Sequence, residues 1–177
     1  MPNWVKNHVL IMDRQAIKDC IKTEHRQGKG WEEDVEFFDF NEIIPMPEEL
    51  KDKTRYYPKC DADEKEDKEL VAKYGADNWY DWSVDNWGTK WNTDSVRKVS
   101  PQAVEFDTAW ATPEPLIKAL SEKYHTTVSV CYADEDLGNN CGEYEYKDGE
   151  KVLDKVGDYD FACGVWGFDP KETEGEE

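Results

Sequence analysis

The chain has 177 residues and a formal net charge of −19, with 41 Asp/Glu against 22 Lys/Arg. That length supports one well-cored domain and is short for two. So acidic a chain repels phosphate backbones, which argues against direct nucleic-acid binding and leaves a basic protein, a metal cation or a cationic ligand as the partners its field attracts. Aromatic residues make up 13% of the chain, including eight Trp and nine Tyr, so a packed core is attainable and disorder is not implied.

In chain order, residues 3–12 read as a strand carrying Trp4, Val5, Val9, Leu10, Ile11 and Met12. Asp13 is a good N-cap, and a helix is expected from there to about Arg26, ended by Gly28 and Gly30. On that helix Arg14, Lys18, Lys22 and Arg26 would form one basic stripe at four-residue spacing, either a docking face or a solvated back. Residues 35–40 are β-rich. Residues 48–75 read as an acidic helical insertion ending at Gly75.

Segment 78–91 is dense in tryptophan. Trp87, Thr89 and Trp91 alternate and are expected on one face of a strand, with Lys90 on the other. Val104, Phe106, Thr108 and Trp110 alternate in the same way, opposed by Glu105, Asp107 and Ala109, so Lys90 and Asp107 are expected to form a cross-strand ion pair. Thr112-Pro113 opens a helix striped by Leu116, Ile117, Leu120 and Tyr124. Thr126–Tyr132 is a strand, and Asp148-Gly149 is a hairpin turn joining strands around Tyr144–Tyr146 and Val152-Leu153. The expected fold is α+β and ferredoxin-like: an antiparallel sheet with two helices on one face, plus the helical insertion and a C-terminal β-hairpin. Residues 1–169 form one domain in this reading, and 170–177 an acidic disordered tail.

Several segments in register carry a resemblance. They are Pro2-Asn3-Trp4 with Asn7, Phe38–Pro47, Trp79–Trp82, Asn86–Trp91, Phe106–Trp110 and Asp134–Asp136. In that order they resemble the YubB ferredoxin-like domain family of bacteriophage and plasmid proteins, over residues 2 to about 145. The resemblance implies a ferredoxin-like fold and an origin on a bacterial mobile element, and it supplies no activity. By analogy with accessory genes of such elements, it points to countering a host defence system. Relatives carry Cys where this chain has Val5, so no thiol role transfers to that position.

The candidate binding set is Trp79, Asp81, Trp82, Asn86, Trp87, Lys90, Trp91, Asp107 and Trp110. Two readings of it stand open. It can be a tryptophan core, since each buried aromatic contributes roughly 4–6 kcal/mol before entropy. It can also be an aromatic pocket with polar handles. No catalytic set, cofactor or metal site is indicated. His8, His25 and His125 are scattered, and Cys131 and Cys141 lack zinc spacing. Asp134–Asn140 looks partly like a calcium loop but places Gly138 fifth where sixth is required, and Gly28-Lys29-Gly30 follows a helix instead of opening one. His125 and Cys131 are the nearest Cys–His pair in sequence.

Five cysteines without a C-x-x-C, and no apolar leader or run of roughly 18 apolar residues, fit a reduced cytoplasmic setting without a membrane partner. The leading functional expectation is a non-enzymatic acidic module that binds a basic host protein. A small-ligand domain or enzyme using the tryptophan region is the alternative. The oligomeric state is left open.

Overall fold

The computed structural model describes residues 3–54 and 61–170, of which 61–63 are described by backbone alone. Six antiparallel strands form the main sheet in the order β4-β5-β1-β6-β7-β8. They are β1 (Trp4–Ile11), β4 (Arg97–Ser100), β5 (Ala103–Ala109), β6 (Thr127–Asp134), β7 (Cys141–Lys147) and β8 (Glu150–Val156). In β1, Val5, Asn7, Val9 and Ile11 are buried on one face, while Lys6, His8 and Leu10 point to the other. β5 and β6 flank β1 on either side, both antiparallel to it, and are joined by α5 (Glu114–Lys123). With α1 (Arg14–Cys20) after β1 and β4 outside β5, this is the split β-α-β arrangement of a ferredoxin-like sheet. The hairpin β7–β8 extends it beyond β6 through the turn at Asp148 and Gly149, which have φ of 50° and 80°.

The main core lies between the sheet and the helices of one face. α1 contributes Ala16, Ile17 and Cys20, and α5 contributes Leu116, Ile117 and Leu120, against Val9, Ile11, Val104, Val128 and Val130. Leu116, Ile117 and Leu120 of α5 are thus buried as expected. The insertion is helical as expected: α2 (Glu48–Lys51) and α3 (Asp61–Tyr74) bring Leu50 and Leu70 into the same core, and Gly75 closes α3 at φ 81°. The expected acidic tail lies outside the described residues from 171 onward.

Four expectations are corrected. The first helix stops at Cys20, not Arg26. Ile21–Gly28 is instead β2, paired with β3 (Trp31–Phe38) in a separate two-stranded sheet. The alternating polar run Lys22-Thr23-Glu24-His25 finds ladder partners there that a helix would deny it. The basic stripe therefore does not exist: Lys22 pairs with Glu42, and Arg26 with Glu24 and Asp94. Secondly, the β-rich residues 35–40 do not enter the main sheet; the four-residue β4 takes the place beside β5. Thirdly, the strand expected through Trp87, Thr89 and Trp91 is not formed: Trp79–Trp87 is a helix, α4, and residues 88–91 are a loop. Fourthly, a helix missed in the sequence, α6 (Tyr159–Trp166), covers the opposite sheet face with Ala162 and Val165 on Ala133 and Cys141.

The β2–β3 ribbon is fastened at its base. Phe38 stacks on Phe106 at 5.3 Å, and both rings meet Phe40 edge-on. The buried Thr93 hydroxyl accepts from the Phe38 amide at 2.9 Å and donates to the Phe38 carbonyl at 3.0 Å. Thr93→Val keeps the shape and strands both Phe38 groups, so it is expected to cost about 2–3 kcal/mol in urea unfolding and to speed exchange of the Phe38 amide. An unchanged midpoint would show that water replaces the hydroxyl at no cost.

Candidate binding site at the aromatic end of the sheet

The site begins with the geometry of α4 (Trp79–Trp87). Asn78 caps it: its side-chain oxygen accepts from the Asp81 amide at 3.0 Å, and its amide donates to the Asp81 carboxylate at 2.8 Å. This reciprocal pair sits at the positive end of the helix, where a carboxylate is favoured. The helical period turns Trp82, Ser83 and Trp87 inward and leaves Trp79 and Tyr80 half-buried at the rim. Trp82 meets Trp87 edge-on at 5.5 Å, and Trp87 meets Phe40 at 5.7 Å. The Trp87 indole donates to the Ile44 carbonyl at 2.9 Å. The Asn86 amide donates back to the Trp82 carbonyl at 2.9 Å. Trp82 and Trp87 thus belong to the core.

Gly88 ends α4 in the left-handed conformation at φ 80°, and a Cβ there would fall 2.5 Å from Pro115 Cδ. The chain reverses, and two hydroxyls fix the next residues. Thr89 donates to the Ala109 carbonyl at 2.8 Å, and Ser83 donates to the Lys90 carbonyl at 2.6 Å. Lys90 and Trp91 are thereby set beside the end of β5. The Lys90 ammonium lies 4.3 Å from the Trp91 ring, 4.8 Å from the Trp110 ring and 6.0 Å from the Tyr80 ring. Trp91 in turn tilts against Trp4 at 6.3 Å, Tyr80 meets Trp110 edge-on at 6.0 Å, and Trp79 meets Tyr80 edge-on at 5.8 Å.

The expected Lys90–Asp107 ion pair is not formed, because Lys90 lies on a loop rather than on a neighbouring strand. Asp107 instead faces its register partner Lys6 at 3.2 Å, and the Lys6 ammonium also sits 4.6 Å from the Trp166 ring. Trp4, Asp94, Ser95 and Asp107 line a cavity of about 170 Å³. The nine candidates therefore divide. Trp82 and Trp87 are buried, with Asp81 and Asn86 engaged along α4. Lys90, Trp91 and Trp110, with Trp79 at the rim and Asp107 on the far side of Trp4, reach the surface. Trp4, Lys6, Tyr80, Asp94 and Trp166 belong to the same surface and were not foreseen. Of these, Trp4 and Tyr80 had a signal in sequence, Trp4 in the strand expected over residues 3–12 and Tyr80 inside the tryptophan-dense segment 78–91.

Trp110 is the most constrained member. Its φ is 69°, unusual for a bulky residue, and its side chain is 43% exposed. Its amide donates to the Asn3 carbonyl at 2.9 Å, and its carbonyl accepts from the Asn140 amide at 3.0 Å, so the backbone is pinned on both sides. Asn140 and Asp134 belong to the loop that partly resembled a calcium site. The buried Asp134 carboxylate there accepts from the Asn3 and Asn140 side chains and the Asp136 amide.

Thiol and imidazole chemistry is poorly served. Burial pushes the Cys20 thiol up to about 12. Burial first, then neighbouring acids, raises Cys131 and Cys141. His125 binds Asp148 at 2.7 Å and His25 binds Asp34 at 2.8 Å. The register neighbour of Cys131 is His8, not His125, and both ring nitrogens of His8 are engaged, by Glu105 at 3.1 Å and the Val165 carbonyl at 2.8 Å. Among the described residues no group of three or more His, Cys, Asp or Glu is placed to hold a metal ion, and no helix is long and apolar enough to cross a membrane.

The sheet order and helix placement define a ferredoxin-like domain with an added hairpin and back helix. The family model for the ferredoxin-like domain in Api92-like protein matches residues 86–177, and the chain belongs to that family. Among solved structures, the crystal structure of a protein api92 from Yersinia pseudotuberculosis is similar, with a TM-score of 0.47 and 9% identity over 89% of this chain and 98% of that chain. No curated protein matches the chain.

The backbone at Trp110 generates a reversal of the usual order of substitutions. Trp110→Gly is expected to be more stable than Trp110→Ala by about 1 kcal/mol in thermal or urea unfolding, because only glycine enters the left-handed region without steric cost. An alanine variant equal to or better than the glycine variant would remove the argument for strain.

Proposed function

We propose that the chain is a non-enzymatic protein-binding module, carried by a bacterial phage or plasmid, whose acidic, tryptophan-rich sheet end docks a basic host protein in the cytoplasm. The observation that carries this is the convergence of Trp4, Trp91 and Trp110 with Asp94 and Asp107 at one end of the sheet, on a chain of net charge −19. Aromatic rings over which lysine ammoniums already lie, beside carboxylates, are chemistry suited to Lys and Arg side chains. Exposed tryptophan at the centre of such a patch is the residue type that dominates protein interfaces.

The mobile-element origin rests on the ordered segments that resemble the YubB family. A role against host defence is inferred from that origin by analogy, since many defence factors are basic proteins that grip nucleic acid, and an acidic surface competes with it. The small-ligand alternative has less support, because the cavity touching the tryptophan cluster, about 170 Å³, falls below the roughly 300 Å³ at which ligand pockets begin.

The test is a pull-down from bacterial lysate with tagged protein, washed at about 50 mM and then about 500 mM salt. One dominant basic protein should be retained at low salt, released at high salt, and lost with Trp110→Ala. A blank at low salt from several hosts, or retention indifferent to salt, would contradict the proposal.

A further inference from the structure

Lys90 differs in its company from the lysines of this chain that pair with acids. Lys6, Lys22, Lys51, Lys53, Lys73, Lys98, Lys151 and Lys155 each meet a carboxylate within 4.0 Å. The Lys90 ammonium meets none among the described residues. Instead three ring faces, those of Trp91, Trp110 and Tyr80, converge on it within 4.3 to 6.0 Å. A cation surrounded by aromatic faces is bound by their quadrupoles, and the same geometry recognises alkylammonium groups generally. The cage walls are held independently of the guest: Trp110 by Asn3 and Asn140, and the Trp91 loop by the Thr89 and Ser83 hydroxyls.

We infer that this cage is a binding site for a lysine side chain of the basic partner, and that Lys90 is its resident placeholder. The occupant shows which chemistry fits: a primary alkylammonium on a flexible stem. The net charge favours exchange for a second cation, because the chain as a whole carries −19; the Asp94 and Asp107 carboxylates that flank the neighbouring Trp4 cleft are themselves held by Arg26 and Lys6. A partner lysine enters as Lys90 swings out, and the displaced ammonium reaches water on a half-buried side chain that has no ion pair to break among the described residues. The inference deepens the docking proposal by naming its central subsite, but small cations test it without any partner protein. It can therefore stand if the pull-down fails, and fall if the pull-down succeeds.

The probe is n-butylammonium chloride, titrated at constant ionic strength while the indole N–H and lysine ε-methylene resonances are followed by NMR. In the free wild-type protein the Lys90 ε-methylene protons are expected well upfield, shielded by the rings, and should move toward the ordinary lysine position as probe is added. Lys90→Ala is expected to bind the probe about tenfold more tightly than wild type, with saturable shifts at Trp91 and Trp110. Lys118→Ala, which removes the same charge from an exposed site on α5, should leave affinity near wild type. Adding Trp110→Ala to Lys90→Ala should abolish the shifts. An unshifted Lys90 methylene in the free protein would overturn the inference. So would a Lys90→Ala protein whose Trp82 and Trp87 signals are native but whose Trp91 and Trp110 signals ignore the probe.

Discussion

The contact on which the rest depends is the seat of Trp87. Its ring lies edge-on to Phe40 and Trp82, and its indole N–H is bonded to the Ile44 carbonyl. A buried indole needs both a packed face and a hydrogen-bond partner, and this position supplies both. Once Trp87 is fixed, α4 has one orientation, Gly88 must turn against Pro115, and Thr89 comes within reach of the end of β5. Lys90 and Trp91 then have no route except outward, onto Trp110 and Trp4. The same aromatic block, through Phe40 and Phe38 on Phe106, ties the β2–β3 ribbon and the insertion to the sheet. Core packing and surface site are thus two ends of one chain of contacts.

That chain of contacts divides tryptophans of similar sequence context into different roles. The ones that stabilise the fold sit where the helical period of α4 points inward. The ones available to a partner sit after the period ends, at the edge of the sheet where β1 begins and β5 finishes. There the acidic field of the molecule meets aromatic surface, and the two local cations, Lys6 and Lys90, are both held against rings. Trp110 keeps an unfavourable backbone conformation and a half-exposed ring, a combination that stability alone does not reward and that a binding surface does.

The elements legible in the sequence were those with one unambiguous period or a clear stop. β1, the 104–109 strand, α5 after Thr112-Pro113, β6 and the Asp148-Gly149 hairpin all have such patterns, and with them the ferredoxin-like class. Segment 79–91 misleads because it satisfies two periods at once. Trp87, Thr89 and Trp91 alternate like a strand, while Trp79, Trp82, Ser83 and Trp87 share a helical arc, and tryptophan favours strands on propensity. The Asn78–Asp81 cap was the local signal that decides for helix. β4 has four exposed residues and no alternation to read. α1 is cut short by pairing with a strand ten residues away, a tertiary contact that overrides local helix signals. For the site, the tryptophans were visible but their partition was not, and the Lys90–Asp107 pair failed because it assumed neighbouring strands.

The central claim is that the outward tryptophans, not the inward ones, form a surface for cationic partners. The most direct measurement is a ¹H–¹⁵N spectrum of the indole N–H groups during titration with a short lysine-rich peptide at low salt. The account predicts that Trp4, Trp91 and Trp110 shift together and saturably, that Trp82 and Trp87 stay still, and that added salt reverses the change. Shifts confined to the inward pair, or none at any indole while acidic loops elsewhere respond, would contradict it.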